Sequence, residues 1–350
     1  MSFKRIWALF KARNYEFFRD RAGFGWNILF PFLIVAGFGV IFSSDSGSDY
    51  KLGIFPVKEN QAGLEILDLP GRLKTYQHIK IVPFETRDEA LDKLTHHKID
   101  LLLENAGPEL KYWVNDSSPK GYVLEKMVRE SMVPEEWFAS KVIRQEVRGD
   151  RIRYIDWLFP GILGMNIMFS ALFGVGYVIV RYRRIGVLKR LKATPVTAFE
   201  YLTAQLVSRV LIMLISSSVV WLGCDLLFSF RMHGSYLDAL AVFFSGTLCL
   251  VSLGLVLACR GTNEELTNGI INFISWPMMF LSEVWFSIEG TSDFVKTAAK
   301  LLPLTHFLNA ARKIINDGAT LSDVSFEVAI LLIMSFVFLT IGSVLFSWTK

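Results

Sequence analysis

Between Phe24 and Phe42 the chain carries no charged side chain, and five further stretches repeat the pattern. They are Trp157–Val180, Val210–Phe230, Ala239–Cys259, Gly269–Ile288 and Val328–Trp348; only the second and fourth of these five hold an acid, Asp225 and Glu283. An apolar run of about 18 residues or more can cross a bilayer as a helix, whereas a spanning strand needs only about ten. A backbone in lipid must satisfy its own hydrogen bonds, which restricts spanning structures to helices and closed barrels. The runs therefore predict an α-helical polytopic membrane protein with six transmembrane helices. Composition agrees: of 350 residues, 52% are hydrophobic and only 20% charged, more apolar than an ordinary soluble domain. A net charge of +4 is too small to point to nucleic acid, and no such partner is expected. Cys224, Cys249 and Cys259 all lie in apolar runs, which reads as core packing and offers neither a disulfide framework nor a metal-binding pair.

Lysine and arginine accumulate in the short loops on the cytoplasmic side. Six stand in residues 1–23 (Lys4, Arg5, Lys11, Arg13, Arg19, Arg21) and six in 181–205 (Arg181, Arg183, Arg184, Lys189, Arg190, Lys192). With Arg260 and Lys350 they make fourteen on one side, against five opposite: Arg231, Lys296, Lys300, Arg312 and Lys313. Both termini are thus expected in the cytoplasm of a bacterial cell, with the chain in the inner membrane. Residues 1–23 lack the layout of a cleavable signal. There Phe3, Ile6, Trp7, Phe10, Phe17 and Phe18 alternate with cations, the pattern of an amphipathic helix lying on anionic membrane lipid. The expected order is the interfacial helix 1–23, a first span at 24–42, a second at 157–180, a cytoplasmic loop at 181–205, and four spans in 206–348 with an external segment at 288–326.

Residues 43–156 differ from the rest, with 17 basic and 20 acidic side chains. Strands are expected at Tyr50–Val57, Ile79–Phe84, Ile99–Glu104 and Leu110–Val114, and helices at Arg87–His96 and Gly121–Met132. A charged helix is expected over 135–153. This is the pattern of an α/β domain inserted between the first two spans, and long loops cross the membrane largely regardless of charge, so it is expected to be extracytoplasmic. Its chemistry looks empty. His96-His97 lacks metal-ligand spacing, and Asp88-Glu89 and Glu135-Glu136 fall on solvated helix faces.

No G-x-x-x-x-G-K-[ST], H-E-x-x-H or G-x-S-x-G occurs, so a nucleotide cradle, a zinc protease and a serine hydrolase all lack their residues. Gly23-Phe-Gly25 and Gly174-Val-Gly176 do not complete a dinucleotide fingerprint and read as close-packing positions. No cofactor is expected on this chain. An energy-converting step must come from another protein or from an ion gradient.

The segment from Arg181 to Leu202 is the most informative. Leu188, Leu191 and the stem of Lys192 share one face of a short helix, and Pro195 ends it or begins the next. Such a helix between two spans can press into a groove on a soluble partner. Its order, Gly186, Leu188, Leu191, Thr194, Pro195, then Tyr201-Leu202, resembles the membrane subunits of ABC-2 type ATP-binding-cassette exporters. Leu281-Ser282-Glu283-Val284-Trp285-Phe286, Leu302-Pro303-Leu304-Thr305-His306 and Ala311-Arg312 resemble the family's end of the fifth span and following external segment. Asp88-Glu89-Ala90 through Ile99-Asp100, with Asn115-Asp116-Ser117-Ser118-Pro119, resembles members with a large external domain. The chain departs from the family pattern at Glu283, where glycine is usual, and at Arg183-Arg184, where an acid is usual.

The resemblance implies an exporter permease without its own ATPase site. A second copy of the chain and separate ATPase subunits, which bind ATP and Mg, are the implied partners alongside membrane lipid. Arg184, Gly186, Leu188, Lys189, Arg190, Leu191, Thr194 and Pro195 would couple to the ATPase. Asn272, Pro277, Glu283, Pro303 and Arg312 are the candidates for the pathway or its gate. Glu283 has two readings, a carboxylate facing a polar cavity or partner, and one solvated at the membrane surface. A different class remains open: an ATPase-coupled mechanotransmission protein with no transported substrate. A secondary transporter would show matched halves, and none is visible.

Overall fold

The computed structural model describes residues 3–42, 50–56, 59–60, 63–64, 76, 78–96, 98–104, 111–132, 154–230, 232–261 and 263–348. The helix expected over 135–153, with Glu135 and Glu136, and the residue His97 lie outside them. The chain divides into two compact units, 1–43 with 151–350, and 44–150. In the first, α1 (Phe3–Arg19) and α2 (Arg21–Phe42) are separated at Asp20, whose carboxylate accepts the Gly23 N–H at 3.0 Å. Helix α1 exposes Phe3, Trp7 and Phe18 and buries a single residue, Arg13.

The second unit holds β1 (Tyr50–Phe55), the short pair β2 (Glu59–Asn60) and β3 (Gly63–Leu64), β4 (Ile79–Pro83), α3 (Arg87–Thr95), β5 (Leu101–Glu104), β6 (Tyr112–Val114) and α4 (Pro119–Ser131). Four strands form one sheet in the order β4-β1-β5-β6, with β1 parallel to both β4 and β5 and β6 antiparallel to β5. Strand alternation assigns its two faces. Leu52, Ile54, Leu101 and Leu103 pack with Leu124 and Val128 of α4, while Phe55 and Leu102 pack with Ala90 and Leu94 of α3. Both faces are covered, which is why these strands read as near-continuous apolar runs. Helix α4 starts at Pro119, two residues before the expected Gly121, because Ser118 caps it by accepting the Gly121 N–H.

The first unit continues with α5 (Tyr154–Arg184), which contains π-helical turns at Leu172–Tyr177, then α6 (Val187–Lys192), α7 (Ala198–Phe228) and α8 (Tyr236–Ala258). It closes with α9 (Glu264–Leu281), α10 (Asp293–Ala299), α11 (Pro303–Asp317) and α12 (Ser325–Leu345). Helices α5, α7, α8 and α12 are each long and apolar enough to cross a membrane, and α2 joins them only when taken with α1 across a 63° bend. The chain is thus a multi-pass helical membrane protein, with four to five candidate spans among the described residues. The fifth expected span corrects to a shorter helix: α9 has 18 residues with Glu264 and Glu265 in its first turn, and the chain leaves the helix at Leu281, not Ile288. The 181–205 loop also shortens to 185–197. Helix α5 runs on to Arg184, and α7 begins at Ala198 behind a capping box in which the Glu200 N–H donates to Thr197 Oγ1 and the Thr197 N–H to the Glu200 carboxylate. The 288–326 segment is largely helical, and α11 buries Leu304, Phe307, Leu308, Ala311 and Ile314 in one core with α5 and α8.

Contacts at the two ends of this unit show which way the helices run. At one end Arg184 pairs with Glu264 at 3.3 Å, and Arg183 donates to Ala258 O and Ser347 O, each at 3.0 Å. At the other, Tyr154 Oη donates to Trp285 O at 2.6 Å, and the Leu321 N–H to the Asp238 carboxylate at 3.3 Å. Helix α9 therefore runs antiparallel to α5, from Arg184 back to the neighbourhood of Tyr154, while α12 runs parallel to α8.

Candidate coupling and pathway sites

The coupling candidates lie on a short helix hung between two long ones. Gly186 takes φ 78°, a left-handed conformation that lets the chain leave α5 and enter α6 within two residues. Leu188 is completely buried and Leu191 packs against the same core, so the face expected to meet a partner is turned inward. Lys192 does not share that face and is exposed, as are Ile185, Lys189, Arg190, Thr194 and Pro195. The outward surface of the segment is therefore cationic, with Ile185, Ala193 and Pro195 as its exposed apolar residues. Arg184 is engaged by Glu264. Arg183, one of the two arginines standing where the family pattern has an acid, is buried, and its guanidinium donates to Ala258 O, Cys259 O, Gly261 O and Ser347 O. Arg5 of α1 donates to Pro195 O and lies 3.9 Å from the buried Glu200. The segment is tied to α1, α8 and the end of α12.

Of the pathway candidates, the fold brings two together. Glu283 sits outside α9, in a turn at φ 59°, and Arg312 of α11 donates to its carbonyl at 2.5 Å. Their side chains lie 3.7 Å apart, and the Arg312 guanidinium stacks 4.0 Å above the Trp157 ring. The Glu283 carboxylate also accepts the Ile288 N–H at 2.9 Å. Gly161 of α5 permits this approach, since a Cβ there would stand 2.6 Å from Val284 O. Pro303 opens α11 at its first turn. Asn272 and Pro277 remain apart on α9, where Asn272 donates to Asn268 O and Pro277 is exposed. Beyond the turn, Lys296 at 2.9 Å holds the Glu289 carboxyl below its usual range.

A third constellation was not visible from spacing. Arg13 Nη2 and Arg209 Nε and Nη2 all donate to Gly174 O, at 2.9, 3.0 and 2.6 Å. Gly174 lies in the π-helical turns, whose lengthened ladder leaves carbonyls open to outside donors. Glycine lets the guanidinium sit this close, since a Cβ would stand 2.5 Å from Arg209 Cζ and displace it. Arg13 is balanced by Glu16 at 2.8 Å and hydrogen-bonded to Tyr182 Oη at 2.8 Å, and Tyr182 itself donates to Glu16. Arg209 borders a cavity of about 590 Å³ walled by Trp26, Phe30, Phe169, Phe173 and Trp276, with Asn27 and Asn166 joined at 3.2 Å on its lining. Arg209 stands immediately before the apolar run Val210–Phe230, and the extension of α7 back to Ala198 places it within a helix.

Among the described residues no cluster of three or more metal-ligating side chains forms. His96 ends α3 with Nδ1 2.8 Å from Asp92 O. A search of curated proteins returns no match. The family model described as "ABC-2 family transporter protein" matches residues 21–344, which include both long helices flanking the coupling segment, the Glu283–Arg312 turn and the Gly174–Arg209 contact. The chain belongs to the ABC-2 family of transporter proteins.

Proposed function

We propose that this chain is the permease subunit of an ATP-driven exporter. Two copies form the pathway, and separate ATPase subunits, which bind ATP and Mg, dock on residues 185–197 at the cytoplasmic face of a bacterial inner membrane. The observation that carries this reading is the build of α6: Leu188 anchors it in the core while Lys189, Arg190 and Lys192 point away. A push on that cationic surface is transmitted directly to α5 and α7, which it joins, and through Arg183 to α8. Six crossings, both termini inside and the 44–150 unit outside are part of the proposal, supported by the direction of α9. A second copy would cover apolar side chains left exposed on α2 (Leu29, Leu33) and α9 (Phe273, Phe280). Lipid would cover α12, which leaves Phe326, Ile333, Phe336 and Val344 open.

The test is capture from mild detergent. The chain should bring down a P-loop ATPase whose hydrolysis rises in its presence. Lys189→Glu with Arg190→Glu should abolish capture; capture that survives this pair removes α6 from the contact, and absence of any ATPase removes the exporter reading. The second reading, mechanotransmission without cargo, gains from one observation, that among the described residues four helices qualify as spans by themselves. ATP-dependent movement of a substrate into inverted vesicles would exclude it.

A further inference from the structure

Arg209 carries more charge than its surroundings use. It is only 6% exposed, yet its two hydrogen-bonding nitrogens share a single acceptor, Gly174 O, which Arg13 already satisfies. Its other contact is the Phe17 ring, 5.4 Å from Cζ. Nη1 makes no hydrogen bond among the described residues and is not sealed off, because Arg209 lines the 590 Å³ cavity. The nearby carboxylate of Glu16 is committed to Arg13 and Tyr182. A buried cation without a counter-ion is costly, and a membrane setting raises the demand for a partner.

The cavity supplies the remainder of a binding site. Its volume falls in the range of small-molecule pockets, which pair apolar walls with a few placed polar groups. Trp26, Phe169, Phe173 and Trp276 supply aromatic faces, and Asn27 and Asn166 a polar step beyond the arginine. Asp20, exposed at the border of the cavity with Oδ1 taken by the Gly23 N–H, disfavours a second negative charge. A second cavity, about 320 Å³ between α7 and α8, has no charged wall and selects no ligand class.

From these features we infer that this cavity binds a singly charged anionic amphipath, its head on Arg209 and its apolar part along the aromatic walls. As a cargo site it rests on the permease reading; as a binding site it does not. The head group can come from a free amphipath or from an anionic lipid, and both offer the same chemistry to Arg209.

Tryptophan fluorescence of the full-length chain in phosphatidylcholine nanodiscs tests this, since three tryptophans, Trp26, Trp276 and Trp285, line the cavity and report occupancy. Dibrominated stearate, ionised, should quench saturably and more strongly than its methyl ester. Arg209→Gln should weaken stearate binding about tenfold or more, the worth of one hydrogen bond to a charged group, and leave the ester unchanged. Gly174→Ala should weaken it as well, because the new Cβ displaces the guanidinium while keeping its charge. Arg209→Lys should keep part of the affinity. If Arg209→Gln does not insert, the stearate–ester comparison on the unaltered chain and the Gly174→Ala result decide. Equal quenching by stearate and ester, or affinity unchanged in Gly174→Ala and Arg209→Gln, overturns the site. Brominated phosphatidylglycerol built into the disc separates the sources. Arg209-dependent quenching by it with stearate excluded assigns a lipid, the reverse a free amphipath, and either supports the proposal. A chain that binds the anion but captures no ATPase keeps this site and loses the permease reading.

Discussion

Arg183 holds four carbonyl oxygens, and none belongs to its own helix. Three lie at residues 258–261, where α8 ends and its last carbonyls lack helical donors. The fourth is Ser347 O, so one side chain closes α8 and pins the segment after α12. Arg183→Ala should therefore cost about 3 kcal/mol, by leaving buried carbonyls without donors, read as a lower unfolding temperature of the detergent-solubilised chain. Arg183→Lys should recover only part, because an ammonium lacks the planar fork that reaches several acceptors. Arg184, one residue on, is exposed and pairs with Glu264 at 3.3 Å, so Arg184→Ala should move the same measurement by less than about 0.5 kcal/mol. The two residues are indistinguishable as letters in a basic run. What separates them is the helical phase of α5, which continues four residues past the last apolar position, Val180.

Helix α6 repeats this lesson with apolar residues. The i, i+3 spacing of Leu188 and Leu191 is legible, and the two do share a face. Sequence periodicity identifies a face that must be buried, but it does not say whether the chain or a partner buries it. Here the chain does. Leu188→Asp should accordingly act on folding, reducing membrane-inserted protein by placing an unpaired carboxylate in the core. Lys189→Glu with Arg190→Glu should leave insertion and unfolding temperature unchanged and remove ATPase stimulation. If the leucine variant inserts normally and only loses stimulation, α6 rotates in the assembled complex and the inward face is its docking surface. The glycines of 174–176 were legible as close-packing positions: a Cβ on Gly176 would stand 3.3 Å from Gly254 O, and one on Gly254 2.9 Å from Ala171 O. The π-helical turns between them were not, because a single widened turn leaves no signature in hydrophobic spacing. Arg209 stayed hidden for that reason, since its acceptor exists only where the ladder opens.

At the scale of the molecule, hydropathy located the long helices well and the marginal one poorly. Four apolar runs coincide with α5, α7, α8 and α12; each helix begins before its run, and α7, α8 and α12 end one to three residues short of it. The 269–288 run overshoots α9, because the turn after Leu281 still carries Val284, Trp285, Phe286 and Ile288. In the 44–150 unit the β-α-β pattern was readable from two apolar strands around a helix, but not that β1 would insert between them. The open question at this scale is the number of crossings, and the ends of α9 make it testable. Arg260 and Glu289 flank α9 and are both exposed. In a background with the three buried cysteines replaced by alanine, single cysteines at Asp88, Lys189, Arg260 and Glu289 can be probed on intact cells with a membrane-impermeant maleimide. Six crossings require Asp88→Cys and Glu289→Cys to react directly, and Lys189→Cys and Arg260→Cys only after permeabilisation. Helix α9 is about 27 Å long at 1.5 Å per residue, slightly less than a hydrocarbon core of about 30 Å. It can cross only if Glu264 and Glu265 stay in the interface at one end and the Glu283–Arg312 turn at the other. Should Glu289→Cys react only after permeabilisation, α9 returns to the side it left. The chain would then have five crossings, and its two termini would lie on opposite faces.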